Sequence, residues 1–399
     1  MRAATVFILI TVVIDAMGIG LIVPVMPDLI REVTGGDLAR AAVWGGVMAT
    51  SFAVMQFLFS PVVGALSDRF GRRPVLLGSL AVMAADYIVM ALAGTIWLLL
   101  LGRLVGGVTA ATQATASAYM ADVTPPARRA AAFGLIGASF GVGFVLGPLI
   151  GGLLAGYGTR APFWAAALLA SGNVVFGWFV LRETVTRANR RPVSWRRANP
   201  LGVVRHLGRL PGLGRLLGIY FLYHVAFAVF PAVWAYFAQE RYGWGPGTIG
   251  ISLGVYGTAM ALVQGVLIRP LLTRAGEAGI VLAGFFFSIL SYTLLAFVGS
   301  GGIALVLTPL AALAGVIPPA LQGIMSRRVG ADAQGELQGA LTSASSLAMI
   351  LSPLAMTWSF AAFTRTGAPV YLPGAPFLLA LGLSLLGLAL FLRRARTGS

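Results

Sequence analysis

Twelve apolar runs, set apart by short loops that carry arginine, leave this chain few folds to choose from. They cover residues 5–25, 43–65, 74–94, 96–119, 132–155, 161–181, 216–238, 247–268, 279–298, 302–325, 338–362 and 374–392. Each is long enough to cross about 30 Å of hydrocarbon as a helix, and only helices and closed barrels satisfy every backbone group in lipid. Barrel strands would alternate apolar and polar side chains; these runs do not. The expected fold is therefore an all-α membrane protein of 12 transmembrane helices. Composition agrees. Hydrophobic residues make up 58% of the chain and charged residues 10%, against about 25% charged in soluble domains. That excludes a soluble enzyme, a disordered chain and an ordinary nucleic-acid binder. With no Cys, no disulfide or thiolate metal site can form. The first run carries Asp15 and lacks a small-residue cleavage site, so it reads as a first span and not a signal peptide.

The net charge is +16, and every basic residue is Arg. With the N-terminus inside, 22 Arg fall in cytoplasmic segments and five (Arg31, Arg40, Arg160, Arg241, Arg365) outside, with Arg103 within the fourth span. The positive-inside rule then places both termini in the cytoplasm, and the basic face suits anionic inner-leaflet lipid. The expected membrane is the bacterial inner membrane. The longest polar stretch, Arg182 to Arg215, holds nine Arg and three Pro between spans six and seven. It divides an N-terminal six-helix bundle (1–184) from a C-terminal one (215–399) through a cytoplasmic linker (185–214). An offset of 205 aligns Arg69 with Arg274, Gly71 with Gly276, Gly134 with Gly339 and Pro148 with Pro353. Two pseudo-symmetric six-helix bundles follow.

The loop after span two reads Gly64-Ala-Leu-Ser-Asp68-Arg69-Phe-Gly71-Arg72-Arg73-Pro74. Gly64 and Gly71 allow tight turns, Asp68 can accept from an exposed helix N-terminus, and the Arg residues hold the cytoplasmic side. This loop resembles the signature of the major facilitator superfamily, where it acts as a gate latch. The partner loop keeps Arg274 and Gly276 but has Thr273 in place of the acid, so the second latch looks degraded. Span five carries Gly134-x8-Gly143-x3-Gly147-Pro148-x2-Gly151-Gly152. A stripe of glycines lets helices approach closely in lipid, and Pro148 permits a kink. The spacing resembles the motif of the drug/proton antiporter branch, which uniporters and symporters usually lack.

Of twelve acidic residues, only Asp15 and Asp86 lie well inside spans, with Arg103 the one base there. Such residues cost about 2.5–3.5 kcal/mol each at mid-membrane and are functional candidates. A carboxylate that gains and loses a proton is what a proton-coupled carrier needs; the structural alternative is an ion pair with Arg103. Arg103-Leu-Val-Gly106-Gly107 and Pro24-Val-Met-Pro27 fit the same branch. Asp15 with Gly18 and Gly20, Met55-Gln56-Phe57, Asp86-Tyr87, Tyr119, Ala161-Pro162-Phe163 and Gly335-x-Leu-Gln338-Gly339 resemble the tetracycline/proton antiporters over essentially the whole chain.

That resemblance implies the major facilitator fold and export of drug in exchange for protons by alternating access. No cofactor is bound, and a divalent metal enters only as a drug chelate. It also implies a His in span eight and an Asp in span nine, where this chain has Met260 and Ser288. A pocket is expected at the midplane, lined by Met17, Met48, Met55, Gln56, Tyr87, Gln113, Tyr220, Tyr223, His224, Phe227 and Gln322. Met adapts to many shapes and aromatic faces hold cations. Glu183 and Glu240, at span ends, are expected in solvent. A monomer is expected. A metabolite or sugar carrier is the alternative within transport, opposed by the span-five motif. An embedded enzyme or receptor lacks a catalytic cluster, and a channel lacks a charged ring.

Overall fold

A computed structural model describes residues 2–110, 112–125, 128–185, 212–330 and 333–395. The expected linker falls largely outside the described residues, as does the side chain of Gln113. Among the described residues every regular element is helical.

The first six apolar runs fold as α1 (Arg2–Ile22), the short α2 (Met26–Thr34), α3 (Leu38–Phe70), α4 (Arg72–Leu92), α5 (Ile96–Thr109), α6 (Thr112–Val123), α7 (Arg129–Leu154) and α8 (Ala161–Val180). Then come α9 (Gly214–Phe227), α10 (Val229–Tyr242), α11 (Pro246–Leu262), α12 (Ile268–Phe297), α13 (Gly301–Ala312), α14 (Ile317–Ser326), α15 (Gln334–Thr364) and α16 (Ala375–Ala395). Helix starts follow local chemistry. Asp37 accepts from the Arg40 amide ahead of α3 (2.8 Å), and Thr95 accepts from Leu98 at the start of α5 (3.3 Å).

Among the described residues, eleven helical stretches are long and apolar enough to cross a membrane. One of them, Pro246–Phe297, has 52 residues, about 78 Å of helix and more than twice a bilayer's hydrocarbon depth. It breaks at Gly276, whose φ of 63° and ψ of 171° are not helical. Large apolar side chains cover the outside: Leu168 is 75% exposed, Val306 76% and Phe179 81%. Such a surface belongs in lipid. Trp97, Trp164 and Trp178 stand near helix ends, as interfacial anchors do. The protein is a multi-pass membrane protein.

The chain forms two compact units. Unit 1 holds residues 1–35, 51–200 and 246–251; unit 2 holds 36–50, 201–245 and 252–399. In unit 1, α1 lies along α7 and α4 along α8, around Phe7, Ile8, Leu21, Leu76, Leu80, Tyr119 and Met120. A buried Thr11–Asn173 hydrogen bond (3.2 Å) ties α1 to α8. In unit 2, α9 and α12 lie along α16, with Ile219, Val281, Phe285, Ile317 and Leu321 enclosed. Trp234 is buried there, and its Nε1 donates to Ser252 Oγ (2.8 Å), so the indole's one donor is satisfied.

The 205-residue offset extends to helix ends. Ile22 and Phe227 end α1 and α9; Leu92 and Phe297 end α4 and α12. Ile96 and Gly301 begin α5 and α13; Thr112 and Ile317 begin α6 and α14; Arg129 and Gln334 begin α7 and α15. Pro148 and Pro353 each sit inside a helix.

Candidate functional site

Small residues build the buried cluster of unit 1. Glycines on α7 let α1 sit against its backbone: a Cβ on Gly143 would collide with the Val13 carbonyl, and one on Gly147 would lie 2.6 Å from the Met17 carbonyl. Gly151 meets Leu21 in the same way, and Gly152 faces Pro246 and Gly250. Gly134 differs, with nothing within 4 Å, so that member of the motif does not serve close approach. The register of α1 against α7 positions Asp15. Its Oδ1 is enclosed and has no hydrogen-bond partner among the described residues.

Gly18, three residues further along α1, accommodates the Tyr87 hydroxyl, which a Cβ there would strike. Tyr87 is 4% exposed and Asp86, its neighbour on α4, is 5% exposed. The Asp86 carboxylate lies on the bare edge of α5, where a Cβ on Gly102 or Gly106 would come 3.0 Å from its oxygens. Gly107 brings α5 against Phe52 and Met55 of α3. The Tyr87 hydroxyl lies within electrostatic reach of Arg103, Asp15 and Asp86. These four side chains are therefore brought together.

Arg103 speaks against the structural alternative of an ion pair. Among the described residues it forms no ion pair with Asp15 or Asp86. Its Nη2 is 3.0 Å from Met90 Sδ and its guanidinium carbon 5.4 Å from the centre of the Phe52 ring. An aromatic face and a soft sulfur hold the cation, so Arg103 stands near Asp86 without closing a contact ion pair on it. Carboxylates enclosed without a contact ion pair are costly in lipid, and taking up a proton removes the charge of each.

The loop between α3 and α4 is a polar cluster. Gly71 has φ 112°, and a Cβ there would collide with the Glu183 carboxylate. Glu183 accepts from the amides of Arg72 (2.9 Å) and Arg73 (3.2 Å), so it caps α4 and is not simply solvated. Asp68 does not take that role; its Oδ1 pairs with Arg72 Nη1 at 2.6 Å. Arg72 also reaches Asp122 (3.3 Å) and Ser67 (2.6 Å). Arg73 donates to the Trp178 carbonyl (2.7 Å) and stacks on its ring, while Arg69 lies over Phe70. Gly64 lies inside α3 with nothing within 4 Å, so it makes no turn. Glu240 is also partnered, accepting from the Tyr371 hydroxyl (2.7 Å).

Of the expected substrate-lining residues, Met17, Met55, Gln56 and Tyr87 fall in unit 1. Met48, Tyr220, Tyr223, His224, Phe227 and Gln322 fall in unit 2. On α9 four aromatic rings follow one another: Tyr220 and His224 centroids are 4.2 Å apart, Tyr223 and His224 5.3 Å, Tyr223 and Phe227 6.0 Å. His224 Nδ1 donates to the Tyr220 carbonyl (2.8 Å), which leaves Nε2 as its acceptor. Gln322 donates to Gln338 (3.2 Å). Ser288 is 1% exposed and its hydroxyl has no partner among the described residues. Glu183, Asp122, Phe52 and Met90 were not expected at either cluster. Glu183 and Asp122 left a trace in the sequence, each an acid at the end of an apolar run.

The chain belongs to the Major Facilitator Superfamily, whose pattern matches residues 8–353; it is a transporter and not an enzyme. It is 42% identical over 383 residues to the class C tetracycline resistance protein of Escherichia coli, covering 94% of this chain and 96% of that one. It is 40% identical to the class G tetracycline resistance protein of Vibrio anguillarum, covering 91% of each. The human organic anion transporter MFSD10 (TETRAN) has a similar structure, with a TM-score of 0.69, 25% identity and coverage of 98% and 99%.

Proposed function

We propose that this protein exports tetracycline-like, lipophilic drugs in exchange for protons by alternating access. The carrying observation is the cluster of unit 1: Asp15 has an enclosed oxygen without a partner, and Asp86 is buried without an ion pair beside Tyr87 and Arg103. Asp15 and Asp86 are the proton carriers, and Arg103 tunes their field from its seat on Phe52 and Met90. The residues proposed to contact drug are Met17, Met55, Gln56 and Tyr87 of unit 1 and Tyr223, His224, Phe227 and Gln322 of unit 2, with Gln113, whose side chain lies outside the described residues, proposed from sequence alone. Gly64, Asp68, Arg69, Gly71, Arg72 and Arg73 form the gate element. Gly134, Gly143, Gly147, Pro148, Gly151 and Gly152 form the antiporter element.

The resistance-protein relatives at 42% and 40% identity support tetracycline as the substrate. A divalent ion travels only as the drug's chelate, and the proton gradient supplies the energy. Counting the 52-residue stretch as two crossings gives twelve spans. We place them in two six-helix bundles, in the bacterial inner membrane, with both termini cytoplasmic and the protein monomeric. The experiment is expression in a host lacking its own pumps, with everted vesicles from the same cells. The reading predicts raised tetracycline tolerance and uptake that collapses with the pH gradient. Sensitivity unchanged, or uptake indifferent to the gradient, would overturn it.

A further inference from the structure

Arg72 and Asp122 form an ion pair in unit 1 (3.3 Å). The residues 205 positions further on are Glu277 and Arg327, and they too are paired, with both carboxylate oxygens on guanidinium nitrogens. The charges have changed places. The first pair runs base then acid along the chain, the second acid then base.

The surroundings match. Arg72 and Glu277 each follow a glycine of positive φ, Gly71 at 112° and Gly276 at 63°. In each pair the residue after the glycine is the enclosed one, with side chains 12% and 16% exposed, and its partner is the more open, at 34% and 67%. Gly323 on α14 leaves the crossing point clear, since a Cβ there would strike the Glu277 carboxylate.

The neighbouring position completes the exchange. Asp68 stands four residues before Arg72 and pairs with it. Thr273 stands four residues before Glu277. An acid at 273, placed as Asp68 is against Arg72, would set two like charges against each other. The neutral Thr273 hydroxyl instead donates to the Pro270 carbonyl (3.0 Å). Thr273 is what a charge-exchanged cluster requires, which corrects the expectation of a degraded second latch.

We infer that Glu277 and Arg327 are a second positioning pair for transport, the charge-inverted counterpart of Arg72 and Asp122, which holds the segment of α12 that follows the break at Gly276 on the end of α14 through the cycle. Neither residue touches drug or proton. The inference rests on the transport reading.

The test exploits the sign. Thr273 is exposed, so Thr273→Asp leaves folding intact. It is measured in three backgrounds: native, Glu277→Gln, and the exchange Glu277→Arg with Arg327→Glu. Initial rates of pH-driven tetracycline uptake into everted vesicles, normalised to inserted protein, give kcat and KM. In the native background Thr273→Asp lowers kcat by about two- to five-fold at unchanged KM. In Glu277→Gln the effect vanishes, and in the exchanged protein it reverses. A penalty of equal size in the native and Glu277→Gln backgrounds overturns the inference, as does a change confined to KM; the Glu277→Gln arm decides even if the exchanged protein does not accumulate. Thermal midpoints of the purified variants follow the same sign pattern whether or not tetracycline is carried, so a protein that fails to transport still reports on the pair.

Discussion

Replacing Gly147 by alanine should destabilise the protein, while the same replacement at Gly141, on the same helix, should stabilise it. A Cβ at Gly147 would lie 2.6 Å from the Met17 carbonyl oxygen and 2.8 Å from the Gly20 Cα. These are backbone atoms of α1 and cannot rotate aside, so α1 must shift. Overpacking of this kind costs about 1–3 kcal/mol, and the gain in helix propensity returns about 0.5–1 kcal/mol of it. Gly141 has nothing within 4 Å, so there only the gain of about 0.5–1 kcal/mol applies. The two variants should therefore differ by about 1–3 kcal/mol. Denaturant unfolding of both, purified in one mild detergent and followed by tryptophan fluorescence, measures the difference. Gly147→Ala should also slow transport, because α1 carries Asp15. Equal stabilities for the two variants would refute the claim that the glycine stripe exists to seat α1.

Two further outcomes are expected. Asp68→Asn removes a charge from the 2.6 Å contact with Arg72 and should slow turnover by about two- to five-fold with drug KM unchanged; a loss confined to KM would contradict a gating role. The Thr159 hydroxyl (2.6 Å) and the Arg160 guanidinium hold Glu32 below the usual carboxylate range. A depressed folded value stabilises above the unfolded value of 4.5 and is lost as pH falls through the folded one. Acid titration of thermal midpoints should therefore show wild type losing more than Glu32→Gln below about pH 4.5, with parallel curves counting against the clasp.

The spans were legible because crossing lipid demands length and apolarity, and both are written locally. The glycine stripe was legible for a similar reason: Gly143, Gly147 and Gly151 recur on one helix face. Glu183 was not, since its cap on α4 joins residues more than a hundred positions apart, and nothing near Glu183 in sequence marks it as a cap. Arg103 was placed in the right neighbourhood, and the ion pair held open as the structural alternative does not form. An ion pair is the obvious guess for a buried base beside two acids, but Phe52 and Met90 win it. The charged cluster at Glu277 and Arg327 was missed because a repeat search compares residue types. Exchange of charge between Arg72 and Glu277, and between Asp122 and Arg327, preserves the interaction while erasing the identity.

The central claim is that Asp15 and Asp86 carry the protons. Asparagine keeps the shape of each side chain and cannot release a proton. The direct measurement is tetracycline-driven proton flux in proteoliposomes with an internal pH dye, for wild type, Asp15→Asn and Asp86→Asn at matched protein density. Proton flux should accompany drug movement in wild type and fall to the protein-free level in each variant. Wild-type coupled flux with asparagine at both positions would contradict the account.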